Sequence, residues 1–150
     1  MTNVPDLVKH VEETAQAMVA LRPDLREAHE KVTIELTLEP GDDVNEVYEG
    51  RRKILQIRRR LLNLVTEARE SEGMARLQRA EADRCRLKIK TEWQVLEPWQ
   101  KEDLQARIIM GDANADGAIA KIQQCQMELE FDLSYVREIT DGIHPRSISD

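Results

Sequence analysis

Aromatic side chains are scarce in this chain: one Phe, two Trp and two Tyr among 150 residues. The aromatic bulk that usually fills a self-sufficient globular core is therefore missing, and the apolar surface has to come from Leu, Ile, Val and Ala laid along helices. Chains of this kind often complete their core by self-association. Cysteine is equally sparse. Cys85 and Cys125 stand 40 residues apart with no His at ligand spacing, which removes a disulfide framework and a zinc site and leaves free thiols. No stretch approaches the roughly 20 apolar residues that a membrane span requires, and the opening MTNVPDLVKH has no apolar signal core. The expectation is a cytoplasmic protein. Catalytic patterns are also missing: there is no Gly-rich phosphate loop, no G-x-S-x-G, and His10, His29 and His144 are scattered. The chain reads as a non-enzyme with no cofactor and no metal.

What the chain has in quantity is charge, and it is segregated. Charged residues make up 34% of the sequence and the net charge is -7. Yet residues 51–90 carry 13 Lys and Arg against 5 acids, while residues 1–50 and 91–150 are both strongly acidic. A basic centre between acidic ends points to a polyanion or to docking on an acidic surface, although the overall balance alone argues against nucleic acid. Arg and Lys on helix faces bind phosphates by charge and counterion release without a sequence-reading motif. The candidates are Arg51, Arg52, Lys53, Arg58, Arg59, Arg60, Arg76, Arg79, Arg86 and Lys90, with Trp99 as a platform on which unpaired bases stack. Arg51 and Arg58 fall between apolar columns, where an unpaired guanidinium is costly. Trp93 lies on an apolar stripe and reads as core. A second reading has the basic centre neutralised by acidic arms of the same or a neighbouring subunit.

Periodicity predicts a mainly α, single-domain chain with a small α/β part over residues 1–42, a helical part over 43–140 and a tail over 141–150. A helix over 5–21 carries the stripe Leu7, Val11, Ala15, Met18 and stops before Pro23. A short turn follows at 24–30. Val32, Ile34, Leu36 and Leu38 then alternate with polar residues, a strand pattern over 31–39 that Pro40 and Gly41 end. A lone strand needs a ladder partner, either the tail or the same strand in another subunit. A long helix from Asp43 to about residue 72 has Val47, Ile54, Leu61 and Ala68 at a and Ile57 and Leu64 at d. Gly73 is expected to interrupt it, a second helix to span 74–96 until Pro98 ends or kinks it, and a short helix to cover 99–110. Residues 111–117 read as a break, and a final helix over 116–140 carries Ile119, Ile122, Leu129, Leu133, Val136 and Ile139, with Gln126 as a polar residue in the seam. Asp112, Asn114, Asp116 and Gly117 match the start of a calcium loop. Ala120 and Gln123 fill its last ligand positions without a carboxylate, so a cap and turn is the expected role.

Residues 75–148 resemble the phage recombination mediators of the UvsY type. The resemblance rests on an Ala/Asp-basic-Leu-Lys helix with an aromatic end (Ala80, Asp83, Arg86, Leu87, Lys88, Trp93), an Asp-rich cap (Asp112, Asp116) and a last helix before a short tail with an Arg (Lys121, Ile122, Tyr135, Ile139, Arg146). It implies a homo-oligomer that binds single-stranded DNA, helps displace a single-strand-binding protein and loads a RecA-like recombinase. The acidic ends and the close on Ser149 and Asp150 depart from that pattern. The alternative is a helical structural or adaptor protein, such as a phage assembly component.

Overall fold

The computed structural model describes residues 3–22, 25 and 44–140. They form three helices: α1 (Val4–Leu21), α2 (Val44–Glu92) and α3 (Pro98–Thr140). No strand occurs among the described residues. The segment 31–39 and the tail 141–150, on which the expected strand pairing rested, lie outside them, as does the turn at 24–30 apart from Leu25.

α2 is one helix of 49 residues, about 74 Å long at 1.5 Å per residue. The expected interruption at Gly73 is corrected by its heptad. Ile54, Ile57, Leu61, Leu64 and Ala68 are buried, and the same 3–4 spacing continues through Ser71, Ala75, Ala82 and Cys85. Gly73 falls on the exposed outer face, so it costs backbone entropy without disturbing the seam. α3 is also continuous, so neither the short helix at 99–110 nor the break at 111–117 exists. Its seam runs Leu104, Gly111, Ala115, Ala118, Ile122, Cys125, Leu129, Asp132 and Val136. Gln126, expected in the seam, lies half-buried beside it and donates to Thr14 Oγ1 of α1 at 2.9 Å. Pro98 starts a helix and does not end one. Glu97 is the N-cap, its N–H donating to Gln100 Oε1 at 2.8 Å while its carbonyl accepts from Gln100 N at 3.0 Å. Pro98 takes the first helical position, where a missing N–H costs nothing.

α2 and α3 pack antiparallel, with contacts running from Arg60 against Asp132 to Arg79 against Asp112. α1 is capped by Asn3, whose Oδ1 accepts from Asp6 N, and lies along one flank of this hairpin. Val8, Val11, Ala15 and Met18 join Ile54, Ile57, Leu61, Ile122, Leu129 and Val136 in one core. The molecule thus has a three-helix base that thins into a two-helix arm past the start of α1, where Asn3, Val4 and Pro5 border a cavity with Ala75, Arg79 and Ala115. In the arm the seam is built from small side chains, which lets two backbones approach closely with little apolar bulk.

Three of the four glycines inside helices, Gly73, Gly111 and Gly117, separate these roles. A Cβ on Gly111 meets Gln78 O at 3.0 Å and Ala82 Cβ at 3.1 Å, whereas one on Gly73 or Gly117 meets nothing within 4 Å. In thermal melts, Gly111→Val should destabilise by about 1–3 kcal/mol through overpacking. Gly73→Ala and Gly117→Ala should each stabilise by about 1 kcal/mol, a result that breaks in the chain at either position would reverse.

Candidate nucleic-acid interface

The heptad sorts the basic centre by direction. Taking Ile54 as a, Arg51 and Arg58 occupy e, Arg52 and Arg59 occupy f, and Lys53 and Arg60 occupy g. Position f points away from the seam, and Arg52 and Arg59 are exposed and make no ion pair among the described residues. Arg51 and Arg58 are half-buried on the flank that α1 covers, and Arg58 interacts within the chain. Residues 50–66 contain no acid at all. The nearest carboxylates on α2 itself are Glu49, one turn before Arg52 and Lys53, and Glu67 beyond the stretch.

Lys53 and Arg60 turn toward α3. Arg60 Nη2 donates to Asp132 Oδ1 at 2.5 Å, with the Asp132 side chain 1% exposed and that of Arg60 47% exposed. A carboxylate in a helix seam is tolerated only with such a partner, and Asp132 Oδ2 is buried without one. Arg60 is thus the residue that makes Asp132 tenable and is structural before it is anything else. Lys53 Nζ lies 5.9 Å from the ring centres of both Phe131 and Tyr135, within cation–π range.

The arm treats its cations differently. Arg76 pairs with Glu72 at 2.7 Å, Arg79 bridges Asp112 at 2.9 Å and Asp116 at 3.1 Å, and Arg84 pairs with Glu81 at 2.7 Å. Arg86 joins Asp83 to Asp112. The hydrogen bonds that Arg86 donates to Asp112, then to Asp83, raise its pKa, and the Arg84 guanidinium lowers that of Glu81. These pairs are exposed, so each contributes little alone, but those to Asp112 and Asp116 link the two helices where apolar contact is thin. Lys88 and Lys90 stay exposed near the tip. Trp99 is 67% exposed, and Trp93, expected in the core, is 43% exposed with Lys101 Nζ 4.1 Å above its ring. Lys90 and Trp99 are about 45 Å along the hairpin from Arg59, so the sequence candidates do not form one site in one chain.

The segment 112–117 is helical and serves as neither cap nor turn. Its carboxylates are the acceptors for Arg79 and Arg86 across the hairpin, and among the described residues no cluster of three or more His, Cys, Asp and Glu is arranged to hold a metal. His10 sits 3.5 Å from Glu130 on the surface; His29 and His144 lie outside the described residues. Both thiols are buried and free. Cys125 Sγ donates to Glu67 Oε2 at 3.8 Å, and Lys121 Nζ meets the other oxygen of that carboxylate at 2.9 Å. Burial, then the negative Glu67, pushes the Cys125 thiol from 9.0 up to about 11.

The sequence reading gave no role to Asp132 or Phe131 and named Tyr135 only within the resemblance. An Asp at seam spacing between Leu129 and Val136 was the available signal for the first. Nothing in one sequence marks Phe131, because its partner Lys53 lies far away in the chain. Comparisons with protein-family models, curated proteins and solved structures return no match to this chain.

Two measurements check this geometry. Calcium and chelators should leave the melting temperature unchanged, while Asp112→Ala should lower it by releasing Arg79 and Arg86; a calcium-dependent rise lost on Asp116→Ala would restore the loop. For Cys125, the folded pKa is raised, so its thiol stays protonated while the unfolded chain's ionises. Its contribution to stability is therefore whole below pH 9 and falls between pH 9 and about 11. Urea midpoints of wild type and Cys125→Ala should converge across that interval, and native Cys125 should resist iodoacetamide at pH 8.

Proposed function

We propose that the chain is a non-enzymatic recombination mediator that binds single-stranded DNA and acts as a homo-oligomer. The observation that carries the reading is the acid-free stretch 50–66, from which Arg52 and Arg59 project into solvent on the face opposite the seam. Phosphates are attracted by such a face without any groove-reading element. The resemblance to the UvsY-type mediators supplies the rest of the proposal: loading of a RecA-like recombinase and displacement of a single-strand-binding protein. The binding residues narrow to the base of α2. Arg76, Arg79 and Arg86 hold carboxylates, so they contribute less than their sequence position suggests.

A second reading, a helical structural or adaptor protein, is favoured by the arm. Its arginines are engaged within the chain, and Leu77, Ile109 and Met110 are 64% or more exposed, a surface suited to protein contact.

Affinity for oligo-dT should fall log-linearly with salt, by about 0.7 per phosphate neutralised. Replacing Arg52 and Arg59 together with Ala should flatten the slope by about 1.4 units, whereas Arg79→Ala should leave it nearly unchanged. Absence of wild-type binding at low salt gives the adaptor reading the advantage. Light scattering tests the assembly, since a monodisperse 17.3 kDa species at micromolar concentration would refute the oligomer.

A further inference from the structure

A second feature of the base lies on the α2/α3 face remote from α1. Phe131, the chain's one phenylalanine, is 69% exposed, although the next residue, Asp132, is among the most buried side chains of the protein. Helical geometry accounts for this, because Asp132 falls in the seam and Phe131 one step outside it. Beside the ring is a groove of about 410 Å³ lined by Lys53, Arg60, Gln124, Met127, Glu128 and Phe131, together with Asp132.

The charge around this groove is uneven. On the α2 side Lys53 and Arg60 line it, and Gln56 lies one turn from Arg52, Lys53, Arg59 and Arg60. A continuous cationic surface therefore leads from the exposed f-position arginines to the aromatic ring. On the α3 side Glu128 is the acid left over once Arg60 has taken Asp132. This charge pattern favours a polyanion over α2 and disfavours one over α3, and it leaves the ring open to an uncharged flat group. The exposed Phe131 ring offers a flat apolar face of the kind on which unpaired bases stack.

We infer that Phe131 is the base-stacking platform of the nucleic-acid interface, receiving one nucleobase of a single strand whose phosphates lie on Arg52, Lys53 and Arg59. The inference rests on the single-stranded DNA reading and deepens it by naming where a base goes. Phosphate contacts supply the salt dependence, and stacking supplies the preference for strands with exposed bases. Duplex DNA, with its bases already stacked, gains nothing from Phe131.

The test uses the full chain with two probes of equal length, oligo-dT and an abasic deoxyribose-phosphate oligomer, at two salt concentrations. Phe131→Ala should weaken oligo-dT binding about tenfold, leave the salt slope unchanged and leave binding to the abasic probe unchanged. Phe131→Trp should retain oligo-dT affinity, and Phe131→Leu should behave like the Ala variant. Melting temperature and light scattering of each variant accompany the titrations. If Phe131→Ala binds oligo-dT as wild type does, or loses both probes equally, the platform is wrong while the phosphate interface stands. A changed oligomeric state in Phe131→Ala also overturns the inference, since the face is then a contact between copies. If the wild type binds neither probe at low salt, the nucleic-acid reading fails and the platform fails with it.

Discussion

The close antiparallel packing of α2 on α3 is the constraint on which everything else in this molecule depends. Its seam changes character along its length. At the base it is Ile, Leu and Val, buried further by α1; along the arm it is Ser71, Ala75, Ala82 and Cys85 against Gly111, Ala115 and Ala118. Small side chains remove little apolar area from water, so the arm gains less from burial than the base does. The exposed ion pairs of Arg79 and Arg86 with Asp112 and Asp116 fall where that gain is smallest. Single surface pairs are weak, but four charges shared across two helices favour the same register as the small-residue seam.

That division explains why one run of basic residues has two roles. Between residues 50 and 66 α2 has no acid; Arg60 pairs with Asp132 of α3, while Arg52 and Arg59 make no ion pair among the described residues. Beyond Glu67, acids on both helices stand within reach. Lys121 reaches Glu67, and the Lys121 pKa rises through that hydrogen bond; farther along, arginines and aspartates alternate across the hairpin. The base therefore presents Arg52 and Arg59 to solvent, while the α2 arginines of the arm are paired with carboxylates. The proposed interface lies where compensation stops, and Phe131 lies at its edge.

The helices were legible in the sequence wherever large apolar residues marked the period, as in Leu7 to Met18 and Val47 to Leu64. They were misread where small residues took over. Gly73 and the segment 111–117 read as interruptions because Gly, Asp and Asn are poor helix formers and good turn residues. In the fold those propensities lose to tertiary contacts. Gly111 is required by the close approach of Ala82 and the Gln78 carbonyl, and Asp112 and Asp116 find arginines on the facing helix. The 3–4 spacing of Ala and Ser was present throughout, but Ala and Ser are too common on exposed surfaces for their spacing to prevail over a glycine.

The sequence by itself determined the helical class, the segregation of charge and the absence of an acid between residues 50 and 66, since these follow from composition and local period. The tertiary structure alone decided which cations remain available. Arg59 and Arg60 are neighbours in the chain, yet 100° around the helix separates one in solvent from one bound to a buried carboxylate 72 residues away. Burial and ion pairing depend on what stands opposite. Only the folding of α3 back along α2 brings Asp132 to Arg60 and Phe131 to Lys53.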